Sequence, residues 1–206
     1  KKILITNDDG YKAPGILALA RAMAPWAEVV VVAPERQRSA VSHAITLHKP
    51  LRLTRAKELD AGNLKVYFSN GTPSDCVKLG FFHLMNDADL ILSGINDGPN
   101  MGEDVHYSGT VSAAIEGALL GPPSIAASLV RGRGPDFDAA ALALVPLCQK
   151  IIRESLPPRT MLNVNVPPSI EGNGANPYEI TVLGSREYEG VLDCRKDPRG
   201  RDLVLL

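Results

Sequence analysis

Short apolar runs alternate with stretches of helical periodicity along the chain. Ile3–Thr6 is a brief apolar run that ends in Asn7-Asp8-Asp9-Gly10. Val29–Ala33 is unbroken, all valine but for its last residue, and is stopped by Pro34. A continuous β-branched run of this kind suits a strand buried on both faces of a parallel sheet. Lys65–Ser69, Asp89–Ser93, Ser124–Ser128 and Met161–Val166 repeat the pattern, and Ile45–Thr54 reads as a further strand. Between these runs the spacing of apolar residues predicts helices over Pro14–Met23, Pro73–Met85, Thr110–Leu120 and Phe137–Ser155. Pro14 suits a first-turn position, Thr72 an N-cap and Pro146 a kink.

Strand–helix–strand repetition implies βαβ units with right-handed crossovers. The expected fold class is therefore α/β, a three-layer Rossmann-like core with a mostly parallel sheet over residues 1–166. After Val166 the character changes. Pro167–Pro177 is rich in Gly, Pro and Asn, and from Tyr178 two apolar pieces, Ile180–Leu183 and Leu203–Leu206, follow without an amphipathic helix to cover them. Residues 167–206 are read as a C-terminal β-hairpin extension. An uncovered apolar strand edge invites pairing with another chain, so this extension is expected to serve oligomerisation.

With 206 residues, 45% of them hydrophobic, the chain can bury a core without disulfides or a structural metal. Lys+Arg total 22 and Asp+Glu 23, a net charge of −1, which excludes a globally basic nucleic-acid binder. Aromatic residues make up only 5%, against a base-stacking platform. No apolar run approaches the ~20 residues of a membrane helix. The start, KKILITNDDG, lacks the apolar core of a signal peptide. Cys76, Cys148 and Cys194 are widely spaced with no C-x-x-C pair, so they read as free thiols and the expected location is cytoplasmic.

Ligands of an open parallel sheet bind beyond the carboxyl ends of its strands. Asn7-Asp8-Asp9-Gly10 follows the first strand, Glu35–Ser42 with Ser39 the second, and Ser93–Asn100 with Asn96 the fourth apolar run. Converging on one edge, these loops offer carboxylates, hydroxyls and amide oxygens, the donor set of a hard cation. By themselves Asp8 and Asp9 fit a capped turn equally well. Ser108-Gly109-Thr110 enters a helix directly, a start whose free N–H groups favour anions, although an ordinary capped helix looks the same. Charge is also uneven. Pro34–Lys57 holds six Lys/Arg and one acid, whereas Asn86–Asp104 holds five acids and no Lys/Arg. Such opposed loops suit an anionic substrate bridged to a metal. His43 and His106 fall in candidate site loops as possible proton donors, while Ser39 has no His and Asp at the spacing of a serine hydrolase.

TNDDG, VVAPERQRSAVSHAITL, GTPSDCVKLG, LSGINDGPNMGEDVHYSGTVSAAIEG, LNVNVP and DPRGR occur in this order along nearly the whole chain. Together they resemble the SurE family of stationary-phase survival proteins. The resemblance implies a metal-dependent phosphomonoesterase that hydrolyses nucleoside 5′- and 3′-monophosphates, a 5′-nucleotidase or acid-type phosphatase with some exopolyphosphatase activity. It implies one divalent metal ion per subunit, Mg2+ or Mn2+, held by Asp8, Asp9, Ser39 and Asn96. Asp8 and Asp9 are the implied catalytic residues, either of them as base or nucleophile. Asn7, Asn100, Ser108, Gly109 and Thr110 are the implied phosphate and substrate contacts. The implied partners are a nucleoside monophosphate and further copies of the chain, in a homodimer or homotetramer, with neither nucleic acid nor membrane. The competing class is a nucleotide-binding regulatory module without turnover. The family often reads Arg-Ser-Gly where this chain has Arg38-Ser39-Ala40, and alanine reaches left-handed backbone angles less freely than glycine. Members usually continue past the position of Leu206 with a Thr-Asp segment and a tail that reaches a partner subunit.

Overall fold

The computed structural model describes residues 1–132, 134, 136–168, 178–185 and 193–205. Its elements are β1 (Lys2–Thr6), α1 (Pro14–Met23), β2 (Glu28–Pro34), β3 (Leu53–Arg55), β4 (Leu64–Ser69), α2 (Pro73–Leu79), β5 (Leu90–Asp97), α3 (Gly109–Leu120), β6 (Ser124–Leu129), α4 (Phe137–Glu154), β7 (Met161–Val166), β8 (Asp193–Lys196) and β9 (Asp202–Leu205). Seven strands form one sheet in the order β3-β4-β2-β1-β5-β6-β7. All its pairings are parallel except that of the edge strand β3 with β4.

Strand side chains alternate between faces. Ile3, Ile5, Val29 and Val31 pack in one apolar cluster with α1 and α4 residues such as Ile16, Leu19, Ala141 and Leu144. Leu4, Val30 and Val32 face the other way, onto Cys76 and Val77 of α2 and Ala113 of α3. Both faces of β2 are thus dry, which is why its valines run without a polar break. The result is the three-layer, mostly parallel architecture that the pattern predicted.

Three local readings need correction. Of the expected strand Ile45–Thr54, only the end pairs, as β3. The part before it is irregular because its hydrogen bonds go elsewhere: Asp75 accepts from Thr46 N at 2.9 Å and from Thr46 Oγ1 at 2.6 Å, and Pro50 has no N–H to give a ladder. The helix expected to reach Met85 is α-helical only to Leu79, then widens into a π-helical turn over Gly80–Leu84. Gly80 is pressed against β1 here, and a Cβ on it would stand 2.5 Å from Leu4 Cδ1. Ile180–Leu183 forms no strand, and Ile180 is wholly exposed. Just before it, Tyr178 returns to α4, where its hydroxyl donates to Ala143 O at 2.9 Å.

The partner of β9 is β8, in an antiparallel hairpin separate from the main sheet. DPRGR is its turn. Asp197 Oδ1 accepts from Arg199 N at 2.8 Å and Arg201 N at 2.9 Å, and Gly200 takes a φ of 77°. These bonds hold the Asp197 carboxyl below the usual range. Most of the Gly- and Pro-rich stretch, residues 169–177, and Leu206 lie outside the described residues.

Candidate active site

The chain builds the sheet outward from its middle: from β1 it moves to β2 on one side, and from β5 to β6 on the other. The crevice between the carboxyl ends of β1 and β5 is the switch point at which such sheets bind ligands. Asp8 and Asp9 follow β1, and Asn96 lies near the end of β5.

The turn after β1 is shaped from within. Asn7 is fully buried; its Nδ2 donates to Gly10 O and its Oδ1 accepts from Gly10 N, both at 3.1 Å. Gly10 has a φ of 103°, open to glycine at little cost. The clasp leaves Asp8 and Asp9 at its apex. Asp8 is turned under the start of α3, where the Thr110 hydroxyl donates to Oδ1. Gly109 makes that approach possible, since a Cβ on it would stand 2.8 Å from Asp8 Cβ and 3.0 Å from Oδ2. Burial pushes the Asp8 carboxyl above its usual range, against the Thr110 hydroxyl and the nearby amides of Gly109 and Thr110. Asp9 is pushed up to about 6, first by burial and then by the charge of Asp8. The backbone N–H of Asp97 opposes the rise, the Asp97 charge adds to it, and Arg131, which pairs with Asp97 at 3.2 Å, opposes it.

The loop after β2 crosses this turn. Arg38 N donates to Asp8 O at 2.6 Å. The Gln37 amide donates to Ser39 Oγ at 2.9 Å and reaches Asp9 Oδ1 at 3.5 Å. Ser39 and Asp9 therefore present their oxygens to one common donor. At Asn96 the pairing of β5 with β6 slips by a bulge. Asn96 Nδ2 is spent on Gly98 O at 2.8 Å, which leaves its Oδ1 free to accept.

Asn100 is buried and held by the framework. Its Nδ2 donates to Ser128 Oγ at 2.7 Å, its backbone N donates to Asn165 Oδ1 at 2.9 Å, and its carbonyl accepts from Asn163 and Asn165 at 2.9 and 3.0 Å. Asn7 is likewise internal. Ser108 caps α3, its Oγ accepting from Val111 N at 3.1 Å. Of the two histidines, His43 turns its Nε2 onto Glu116, and His106 offers its carbonyl to the Ser42 hydroxyl at 2.7 Å. The sequence reading missed Gln37, Asp97, Ser128, Arg131, Asn163 and Asn165. The one available signal was LNVNVP, whose two asparagines alternate with apolar residues and so share a face of β7.

A metal's fit can be judged from the donors. Among the described residues no three His, Cys, Asp or Glu side chains gather as a metal cluster. Two carboxylates follow β1, Ser39 shares the Gln37 donor with Asp9, and Asn96 lies near the end of neighbouring β5; these groups offer only oxygens, the donor chemistry that suits a hard divalent cation. Neither Asp8 nor Asp9 has an ion-pair partner among the described residues, so a buried and a half-buried carboxyl stand side by side, each raised by burial.

Comparison with known proteins identifies the family and the fold. The family model described as Survival protein SurE matches residues 3–190. A 5′-nucleotidase SurE of Caldanaerobacter subterraneus subsp. tengcongensis is 50% identical over 97% of this chain and 78% of its own. One from Geobacter sulfurreducens is 49% identical over 97% of this chain and 74% of its own. The crystal structure of the SurE protein from Aquifex aeolicus superposes with a TM-score of 0.83 at 39% identity, covering 100% of this chain and 81% of that one. The chain belongs to the SurE family.

Proposed function

We propose that this protein is a divalent-metal-dependent 5′-nucleotidase that hydrolyses nucleoside monophosphates at the β1/β5 crevice. The observation that carries the reading is the junction of Asp8 with α3. A buried carboxylate, with a second carboxylate next to it in the chain, meets a helix N-terminus within contact distance at Gly109. An arrangement of opposite partial charges at one point serves phosphoryl transfer, in which cation and anion must be held together. The relatives of C. subterraneus and G. sulfurreducens carry the name 5′-nucleotidase, which fits this chemistry.

Asp8, Asp9, Ser39 and Asn96 would hold the cation, magnesium or manganese by donor preference. Once bound, such an ion supplies Lewis-acid polarisation of a phosphoryl oxygen and a water of lowered pKa. The chain's own groups do the rest. Thr110 holds Asp8 Oδ1 by its hydroxyl and thereby fixes which oxygen faces the crevice. The amides of Gly109 and Thr110, with the dipole of α3, favour negative charge at this corner, whether on Asp8 or on a phosphate beside it. Ser108 keeps the first turn of α3 in place. Asn7 and Asn100 shape the two loops rather than reach outward, so their part is to orient Asp8, Asp9 and Asn96. In the metal-free protein burial and the Asp8 charge raise the Asp9 carboxyl to about 6, and a bound cation would draw it down again, keeping it ionised as a ligand.

The working unit in this reading is a homodimer or homotetramer in the cytoplasm. Among the described residues no helix is long and apolar enough to cross a membrane. Phosphate release from AMP in the presence of Mn2+ tests the assignment. Turnover that is lost in EDTA and restored by the cation is the expected result. Nucleotide binding without phosphate release favours the regulatory module, and full activity after exhaustive chelation overturns the metal.

A further inference from the structure

The long connection between β2 and β3 carries Ser39 and has no regular structure, yet it is fastened at four places. Ser42 N donates to Tyr107 O at 3.1 Å and Ser42 Oγ to His106 O at 2.7 Å. His43 Nε2 donates to Glu116 Oε2 at 2.8 Å. Thr72 Oγ1 donates to Ala44 O at 2.7 Å, and Thr46 gives both its N–H and its hydroxyl to Asp75. The segment thus lies across α2 and α3 like a strap.

Two residues of the strap are conformationally strained. Ala40 has a φ of 54° and Ser42 a φ of 50°, left-handed values that side chains other than glycine seldom adopt. They sit between Ser39 and His43. Such a turn persists only where its surroundings over-determine it. The bonds of Ser42 and His43 are what stands on its far side.

Glu116 is an unusual anchor. Its side chain is only 7% exposed, and a buried carboxylate must be compensated. Lys78 of α2 stands 3.0 Å from Oε1 and supplies the charge. The ring of His43 satisfies the other oxygen and is itself 32% exposed. With the charge already met by Lys78, the His43 bond adds direction: it fixes where the strap crosses α3. Glu116 lies seven residues, two helical turns, past Gly109, so it is on the face of α3 that also meets Asp8.

We infer that His43 is a positioning residue for the metal pocket: anchored on buried Glu116, it holds the left-handed turn at Ala40–Ser42 and so keeps the Ser39 hydroxyl on the Gln37 amide that also reaches Asp9. The inference rests on the reading of Ser39 as a ligand. It assigns His43 no proton transfer. Its ring is engaged by Glu116, and the bond that matters is the one donated from Nε2.

Calorimetric titration of the metal-free protein with Mn2+ alone tests this. His43→Ala weakens Mn2+ binding about 10-fold, the size of effect that groups orienting a ligand have. His43→Gln, which can present an N–H near the same point, restores binding to within about 3-fold of the parent. The decisive arm is the double substitution. If His43 acts through Ser39, then in a Ser39→Ala background the further change His43→Ala alters Mn2+ affinity less than about 2-fold. Equal weakening in both backgrounds, or a His43→Ala protein that binds Mn2+ as tightly as the parent, overturns the inference. A parent protein that binds no Mn2+ overturns the metal reading itself, a result separate from either. Melting temperatures in EDTA accompany each titration, and a metal affinity that merely tracks loss of fold in both backgrounds also counts against the role.

Discussion

A methyl group at position 109 has nowhere to go, because Asp8 Cβ would lie 2.8 Å from it. Gly109→Ala therefore forces Asp8 or the start of α3 aside. A displacement of this order costs catalysis about 100-fold while most of the core is untouched, and the expected outcome is a large fall in kcat/KM with a small fall in Tm. At position 40 the argument runs the other way. Ala40 holds a left-handed φ of 54° where relatives by resemblance often carry glycine. Relief of about 1–2 kcal/mol of backbone strain, less about 0.4–1 kcal/mol from a more flexible unfolded chain, leaves Ala40→Gly slightly more stable, by roughly 0.5 kcal/mol in denaturant titration. Asp9 gives a pH-dependent effect in the metal-free protein. Its carboxyl is raised from 3.8 to about 6, so between these values the native state binds more protons than the unfolded chain. Stability from this group accordingly falls as pH rises through that window. Asp9→Asn then stabilises the protein in EDTA at pH 8 by about 1 kcal/mol, the full shift being discounted for the solvent that reaches the group, and has little effect at pH 4. Equal melting temperatures for parent and variant at pH 8 would refute it.

The strands that were legible in the sequence are those whose burial is uniform. β1, β2, β5 and β6 are continuous apolar runs because helices cover both sides, and no tertiary knowledge is needed to read them. Elements whose shape is set by distant side chains were not legible. Ile45 to Arg52 has strand-like composition, but Asp75 takes the Thr46 donors from 29 residues away. α2 gives way to a π-helical turn at Gly80, where the backbone packs against Leu4, a contact no local pattern encodes. The site divides in the same way. Asp8, Asp9 and Asn96 follow from the rule that places ligands at strand ends, whereas the support of the β5–α3 loop comes from β7. There Asn165 receives Asn100 N at 2.9 Å and donates to Asn100 O at 3.0 Å, across 65 residues of sequence. Asn165→Ala removes both bonds and leaves the buried Asn100 N–H without its partner, while Asn163 still donates to the Asn100 carbonyl. The expected cost is about 1–3 kcal/mol of stability, with a loss of turnover larger than that of an equally destabilising core change such as Ile151→Val tuned to the same Tm. Turnover that simply follows Tm across both variants would show that the clamp is structural alone.

At the scale of the whole molecule, the apolar surface is distributed in a way that argues for assembly. α3 is apolar nearly all round, and its outer positions Ile115 and Leu119 are exposed at 37% and 50%. A helix with that composition ordinarily has cover on every side. Ile180 and Val182 are 100% and 92% exposed, and Leu203 of β9 is 50% exposed. The β8–β9 hairpin is an isolated two-stranded sheet, a unit that is marginal in water without further strands or a packing partner. Exposed edges and apolar side chains of this kind are what a second copy of the chain covers in a two-fold assembly. The expected outcome of sedimentation at micromolar concentration is a dimer or larger species. Removal of Asp193–Leu206 weakens that association and lowers the melting temperature, because the hairpin contributes contact area. The Mn2+ affinity of the truncated chain stays within a few-fold of the parent, since Asp8, Asp9 and Ser39 come from loops of the seven-stranded core and Asn96 from its strand β5. A monomeric intact chain refutes the assembly. Loss of Mn2+ binding on truncation would instead place the hairpin at the site, and the core could no longer be regarded as holding the complete metal pocket.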